Sequence, residues 1–139
     1  MAIQQIRPYI HLDGTAERAL RFYERALGAR VETLMRFWDG PGMKMAPEHL
    51  DRVMHASLRV GEQSFLLADT LPDRPAPVGR QVDILLDFDD AADLVARFQA
   101  LSEGGTTVMA PHDAFWGATF AILDDAYGVR WLLNCEKKR

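Results

Sequence analysis

The amino-acid sequence predicts an α+β protein made of two βαβββ modules. Three observations carry this. RPYIHLDG followed by TAERALRFYERALG returns in design as QVDILLDF followed by DDAADLVARFQALSEGG. Each copy is a short apolar strand, an acidic turn and one amphipathic helix, with β-rich sequence behind it. Between them, TLPDRPAPVGR holds three Pro and one Gly, the punctuation of a linker. The modules are placed at residues 1–70 and 80–139, with the linker at 71–79, inside a single domain spanning 1–139. Modules of this kind usually close around a cleft that takes a small molecule.

The elements follow in order. Ile6 to Leu12 reads as the first strand, with Ile6, Ile10 and Leu12 on one face and Tyr9 and His11 on the other. Asp13 or Thr15 is placed to cap the next helix. Its inward face is Ala16, Ala19, Leu20, Tyr23, Ala26 and Leu27, at the spacing of one helical stripe, and Gly28 stops it. Arg30 to Trp38 reads as the second strand. DGPGMKMAPEHLD then breaks the pattern with two Gly and two Pro, a loop that is either a lid or a plain connector, with one helical turn expected at 47–50. Arg52 to Val60 alternates, with Met54, Ala56, Leu58 and Val60 on one face and His55, Ser57 and Arg59 on the other. Gly61-Glu62 turns it into SFLLAD.

In the second module the fifth strand runs from Gln81 to Phe88. The second helix covers roughly 90–103, with Leu94, Val95, Phe98 and Leu101 inward. TTVMAP is the sixth strand, FWGATFAIL the seventh and VRWLLN the eighth, after a turn at DDAYG. His112 and Asp113 fall in the loop before Phe115-Trp116-Gly117.

Composition narrows the function classes. Hydrophobic residues make up 48% and charged residues 26% of the 139, which is ordinary for a globular chain. The net charge is −4 and only the KKR tail clusters basic residues, so nucleic acid is not an expected partner. One cysteine, Cys135, leaves no internal disulfide and suits a reducing cytoplasm. No apolar run nears the ~18 residues of a membrane span, and no signal peptide is expected at the start. The expectation is a cytoplasmic protein without membrane attachment.

PYIHLDGTAERALRFYERALGA, VMHASLRVG with LLAD, FQALSEGG, FWGATF and DDAYGVRWLLN cover most of the chain in one order. Together they resemble the vicinal oxygen chelate superfamily of glyoxalases, bleomycin-resistance proteins and dioxygenases, most closely its PhnB-like branch. The resemblance implies paired modules whose curved mixed sheet surrounds a cleft, helices outside, usually in a homodimer. It also implies a divalent metal held from the first, fourth, fifth and eighth strands. Counted from the helix and turn landmarks, those positions fall at Pro8, at Leu66 or Leu67, near Asp83 and at Leu132. Only Asp83 offers a donor, so no metal and no other cofactor is expected. The methyltransferase description attached to PhnB-like proteins finds no support either, because no Gly-rich strand-to-helix turn is present.

The candidate residues are six. His11 and His55 lie on the polar faces of strands, and imidazole serves as ligand or general base. A strand histidine bonded to a neighbour is the plainer reading of each. The metal count sets His11 on the face opposite the first ligand position. Asp83 and Arg130 are charged residues in apolar strands. Asp83 is either a general base or, as favoured, one half of a structural ion pair with Arg130 or Arg36. Phe115 and Trp116 meet Gly117 and offer an aromatic wall for a flat organic molecule, core packing being the alternative, and Trp116 and Phe120 are placed in the lining of the cleft. Trp38, Met43 and Met45 could line a cleft mouth or a dimer contact. The leading expectation is a small-molecule binding protein without a catalytic metal. The rival is a metal-dependent lyase, isomerase or dioxygenase using His11, His55 and Asp83, and a purely structural partner protein is a third class.

Overall fold

The helix α1 (Ala16–Leu27) forms because its apolar side chains recur on one stripe. Ala16, Ala19, Leu20, Phe22, Tyr23, Ala26 and Leu27 are all buried. It ends at Gly28, whose φ of 68° is the left-handed conformation that closes a helix. Its start is held from afar. Thr15 makes no side-chain cap, and the Asp69 carboxylate accepts from the Ala16 amide at 3.0 Å and from the Val53 amide at 2.9 Å. Asp13, expected as a cap, pairs instead with Arg52 at 2.6 Å.

In this computed structural model residues 2–39 and 45–137 are described. Met43 of the expected loop lies outside them. The chain divides into two compact units, 1–77 and 78–139, and the division falls inside the Pro-rich stretch.

Unit one contains β1 (Tyr9–Leu12), α1, β2 (Arg30–Arg36), β3 (Val53–Val60) and β4 (Gln63–Asp69), in sheet order β1-β4-β3-β2. β1 runs parallel to β4, and the other pairs are antiparallel. β1 is shorter than expected, and Ile6 is 91% exposed rather than inward. β2 stops at Arg36 because the chain tightens into a 3-10 turn at Phe37–Asp39 that buries Phe37. The short turn expected near 47–50 is a 3-10 turn at Pro47–His49. Ala56, Leu58, Phe65 and Leu67 face α1, and the Tyr23 ring meets Phe65 edge-on at 5.7 Å. Glu17 on α1 clamps Arg36 with two hydrogen bonds of 2.7 Å.

Unit two repeats the order with β5 (Ile84–Asp87), α2 (Ala91–Leu101), β6 (Thr106–Ala114), β7 (Ala118–Asp124) and β8 (Arg130–Glu136), in sheet order β5-β8-β7-β6. Again the first strand of the module lies parallel to the last. Asp90 caps α2 by accepting from the Ala92 amide. Leu94, Phe98 and Leu101 are buried against Ala121, Leu123, Trp131 and Leu133. Val95, expected inward, is exposed, because α2 packs only on the narrower stripe of Leu94, Phe98 and Leu101. Asp125 is buried and organises the last turn. It accepts from the Tyr127 and Val129 amides and from the Trp131 indole at 2.8, 3.0 and 2.9 Å.

β6 reaches further than expected, so His112 and Asp113 are strand residues rather than loop. An edge strand tolerates Pro111, which has no N–H to donate, and two register shifts bend it. Gly105, expected only as a helix stop, has a packing reason. A Cβ there would collide with the Asp124 carbonyl oxygen.

Two outcomes follow for urea unfolding. Asp69→Ala strands two buried amides and should cost about 3 kcal/mol. Gly105→Ala should cost about 1–3 kcal/mol by overpacking the turn against β7.

Candidate functional site

Each sheet has one helix, so each has one face that its own helix leaves open. In unit one that face carries Tyr9 and His11 from β1, Leu66 and Ala68 from β4, and His55 and Ser57 from β3, as the register pairs show. Tyr9 stacks on His11 with ring centroids 4.6 Å apart, and its hydroxyl lies 3.1 Å from His55 Nδ1. Tyr9 therefore joins the two histidines, which is the neighbour-bonded reading for His55. His11 shares this open face with Leu66, and Pro8 precedes β1 and gives its carbonyl to the Leu66 amide.

The positions where the superfamily would draw metal ligands do not fit an ion. Leu66 and Leu67 are buried hydrocarbon, Leu132 pairs with Leu85, and Asp83 stands just before β5. Among the described residues no three His, Cys, Asp or Glu side chains come together as a metal cage.

The open face of unit two is built in three rows across the strands. Alternation sets Asp83, just ahead of β5, and Leu85 and Asp87 of β5 on one face with Arg130, Leu132 and Asn134 of β8. The β7 partners are Asp124, Ile122 and Phe120, and β6 adds Met109 beside Ile122 and His112 beside Phe120. One row is thus charged, one apolar, and one mixed from an acid, an amide and two rings.

In the charged row the expected Asp83–Arg130 pair does not form. Arg130 grips Asp124 through Nε at 2.8 Å and Nη2 at 3.0 Å, and Arg80 adds a second cation at 3.4 Å. The directly paired neighbour on β7 offers the fork geometry that Asp83, lying ahead of β5, does not. The hydrogen bond from Arg130 holds the Asp124 carboxyl below its ordinary range, and Asp124 in turn raises the Arg130 guanidinium. Arg36, the other expected partner of Asp83, is held by Glu17, whose carboxyl it lowers.

In the mixed row the rings form a chain. Phe115 meets Trp116 at 5.1 Å, Trp116 meets Phe120 at 5.1 Å, and Phe120 meets His112 at 6.4 Å, all close to edge-on. Trp116 is 51% exposed and Phe115 98% exposed, so neither packs in a core. Both sit in the β6–β7 turn, where Gly117 takes a positive φ of 86°. The Trp116 indole N–H donates to Asn134 Oδ1 at 3.5 Å, and Asn134 Nδ2 donates to Asp87 Oδ1 at 3.4 Å. Asn134 and Asp87 were not singled out from sequence. The alternation of Asp83, Leu85 and Asp87 was the available signal, since it carries Asp87 to the same face. The structure brings Trp116 and Phe120 together and joins His11 to His55; these two groups belong to different units.

The Glyoxalase/Bleomycin resistance protein/Dioxygenase superfamily model matches residues 6–133. The chain belongs to this superfamily. It is 34% identical to protein PA1353 from Pseudomonas aeruginosa, with a TM-score of 0.88 over 98% of this chain and 100% of that one. It is 24% identical to Protein YjdN of Escherichia coli K12, over 96% of this chain and 97% of that protein. A putative 3-demethylubiquinone-9 3-methyltransferase, PhnB protein, from Bacillus cereus shares the fold at 22% identity and a TM-score of 0.77, over 95% and 99% of the two chains. No helix among the described residues is long and apolar enough to cross a membrane.

The Arg130–Asp124 clamp makes a pH prediction. A carboxyl lowered by folding stabilises the protein above its ordinary range near pH 4, and that share is lost as pH falls through the lower folded value. Asp124→Asn should therefore lower the urea midpoint at pH 7, and the gap to the unaltered protein should close as the pH is taken down through 4 toward 2.

Proposed function

We propose that this protein is a PhnB-like binding protein of its superfamily, holding a small, flat organic ligand against the open face of unit two without the usual catalytic metal. The observation that carries the reading is the half-exposed Trp116 ring, set edge-on to Phe120 beside an apolar row of Leu85, Leu132 and Ile122. An exposed indole with its N–H already tied to Asn134 offers a fixed flat surface, and such surfaces favour planar partners. Arg130 and Asp83 border the same face, and His11 and His55 supply the polar groups of unit one. The hydrocarbon side chains at Leu66 and Leu132 support the metal-free part of the reading.

The proposal includes a homodimer in the cytoplasm, supported by the family resemblance and by the exposed Ile3, Ile6, Val78 and Val82. Gel filtration at micromolar concentration should give twice the mass of one chain.

A thermal-shift screen of small aromatics tests the binding reading. Ligands should raise the melting temperature, and Trp116→Ala should remove the gain. Elemental analysis of protein purified without chelator should find no stoichiometric transition metal. A metal present at one per chain and lost in His55→Ala would establish the rival, a metal-dependent enzyme.

A further inference from the structure

We infer that the ligand of this face is a planar aromatic cation, and that Asp87 is the residue that selects its charge. The inference rests on the binding reading above and adds to it the chemical class of the ligand.

The argument begins with which charges on the face are already balanced. Arg130 is consumed by Asp124 through a two-pronged hydrogen bond, and Arg80 approaches the same carboxylate. Asp83 adds a second carboxylate whose charge bears on Arg130, so the charged row sets two cations against two carboxylates. Among the described residues, Asp87 makes no ion pair, although it is exposed on this face. The unbalanced charge of the face is therefore negative, as is the net charge of the chain.

Asp87 differs from Asp83 in its neighbours. It lies in the row of Asn134, Phe120 and His112, whereas Asp83 lies in the row of Arg130. The amide of Asn134 has its orientation fixed by chemistry. Its Trp116 neighbour can only donate and its Asp87 neighbour can only accept, so oxygen faces the indole and nitrogen faces the carboxylate. The chain Trp116 to Asn134 to Asp87 thus links the aromatic surface to an anion. Asp87 receives from Asn134 a single long hydrogen bond of 3.4 Å, which leaves the carboxylate with capacity to accept from a ligand N–H.

The spacing suits one molecule touching both ends. β5, β8 and β7 are adjacent strands, so Asp87 and Phe120 stand two strand spacings apart, about 10 Å. Two or three fused rings cover that span. A ring system lying over the apolar row against Trp116 and Phe120 brings a ring-borne ammonium or amidine-like nitrogen to Asp87. The aromatic faces favour the same charge, since their π-clouds attract cations. A planar anion meets repulsion from the Asp87 carboxylate.

Isothermal titration of the full chain at pH 7 with three probes of matched shape tests this: 9-aminoacridine as cation, phenazine as neutral ring and acridine-9-carboxylate as anion. The cation should bind about tenfold more tightly than the neutral ring, the combined scale of one exposed charge pair and one cation–π contact. The anion should bind more weakly than either. Asp87→Asn should reduce the cation to the affinity of phenazine while leaving phenazine unchanged, and Asp83→Asn should have the smaller effect. Trp116→Ala should weaken all three. Equal binding of cation and neutral ring, or a cation preference untouched by Asp87→Asn, overturns the charge inference, and the binding reading then stands on the Trp116 result. Failure of every probe to bind overturns both, as it would if a second copy of the chain covered this face. Because Asp87 is exposed and Asn is its isostere, an unchanged melting temperature of the free variant certifies its fold.

Discussion

Each module has four strands and one helix, and that ratio governs the rest. A sheet has two faces, and a single helix can dry only one of them. The hydrocarbon accordingly collects on the helix side, where Leu20, Leu58 and Leu67 in one unit and Leu101, Leu123 and Leu133 in the other are fully buried. The packing is pinned by two buried carboxylates rather than by fat alone. Asp69 ties the start of α1 to β3, and Asp125 ties the last turn to the Trp131 indole. A buried carboxylate is tolerated because each is met by N–H donors, and such bonds are roughly twice as strong as neutral ones. What the helix does not cover is free to differ between the modules.

The two modules use that freedom in different ways. In unit one the open face holds a compact group in which Tyr9 stacks on His11 and its hydroxyl meets His55. In unit two the open face presents a graded surface, from a neutralised ion pair through hydrocarbon to rings and an unpaired acid. The repeat in sequence is therefore a repeat of scaffold, and the chemistry is concentrated in the copy whose rings are less enclosed. Superfamily membership sets the scaffold, and the positions counted for metal ligands carry hydrocarbon at Leu66, Leu67 and Leu132.

Much of the scaffold was legible in the residues. The stripe of Ala19, Leu20 and Tyr23, the Gly28 stop and the Gly61-Glu62 hairpin each express a local preference that tertiary structure did not overrule. Edges were harder to read. Ile6 looked like a strand residue because it continues an alternation, but nothing pairs with it, and Val95 looked inward because helical spacing is blind to where the helix axis sits. Cross-chain partners were hardest. Arg130 was matched with Asp83 because both are charges in apolar strands, yet its direct neighbour on β7 is Asp124, which sequence shows only as part of a turn. Asn134 was hidden for the same reason, since an amide at a strand end gains meaning only when Trp116 and Asp87 stand on either side of it.

Gly105 sits with no room for a single added carbon against the Asp124 carbonyl, at the point where α2 hands over to β6. Asp124 is also the residue that silences Arg130. Drift at that turn would thus reach the binding face, because shifting Asp124 loosens its hold on Arg130 and frees that guanidinium to turn toward the carboxylates beside it.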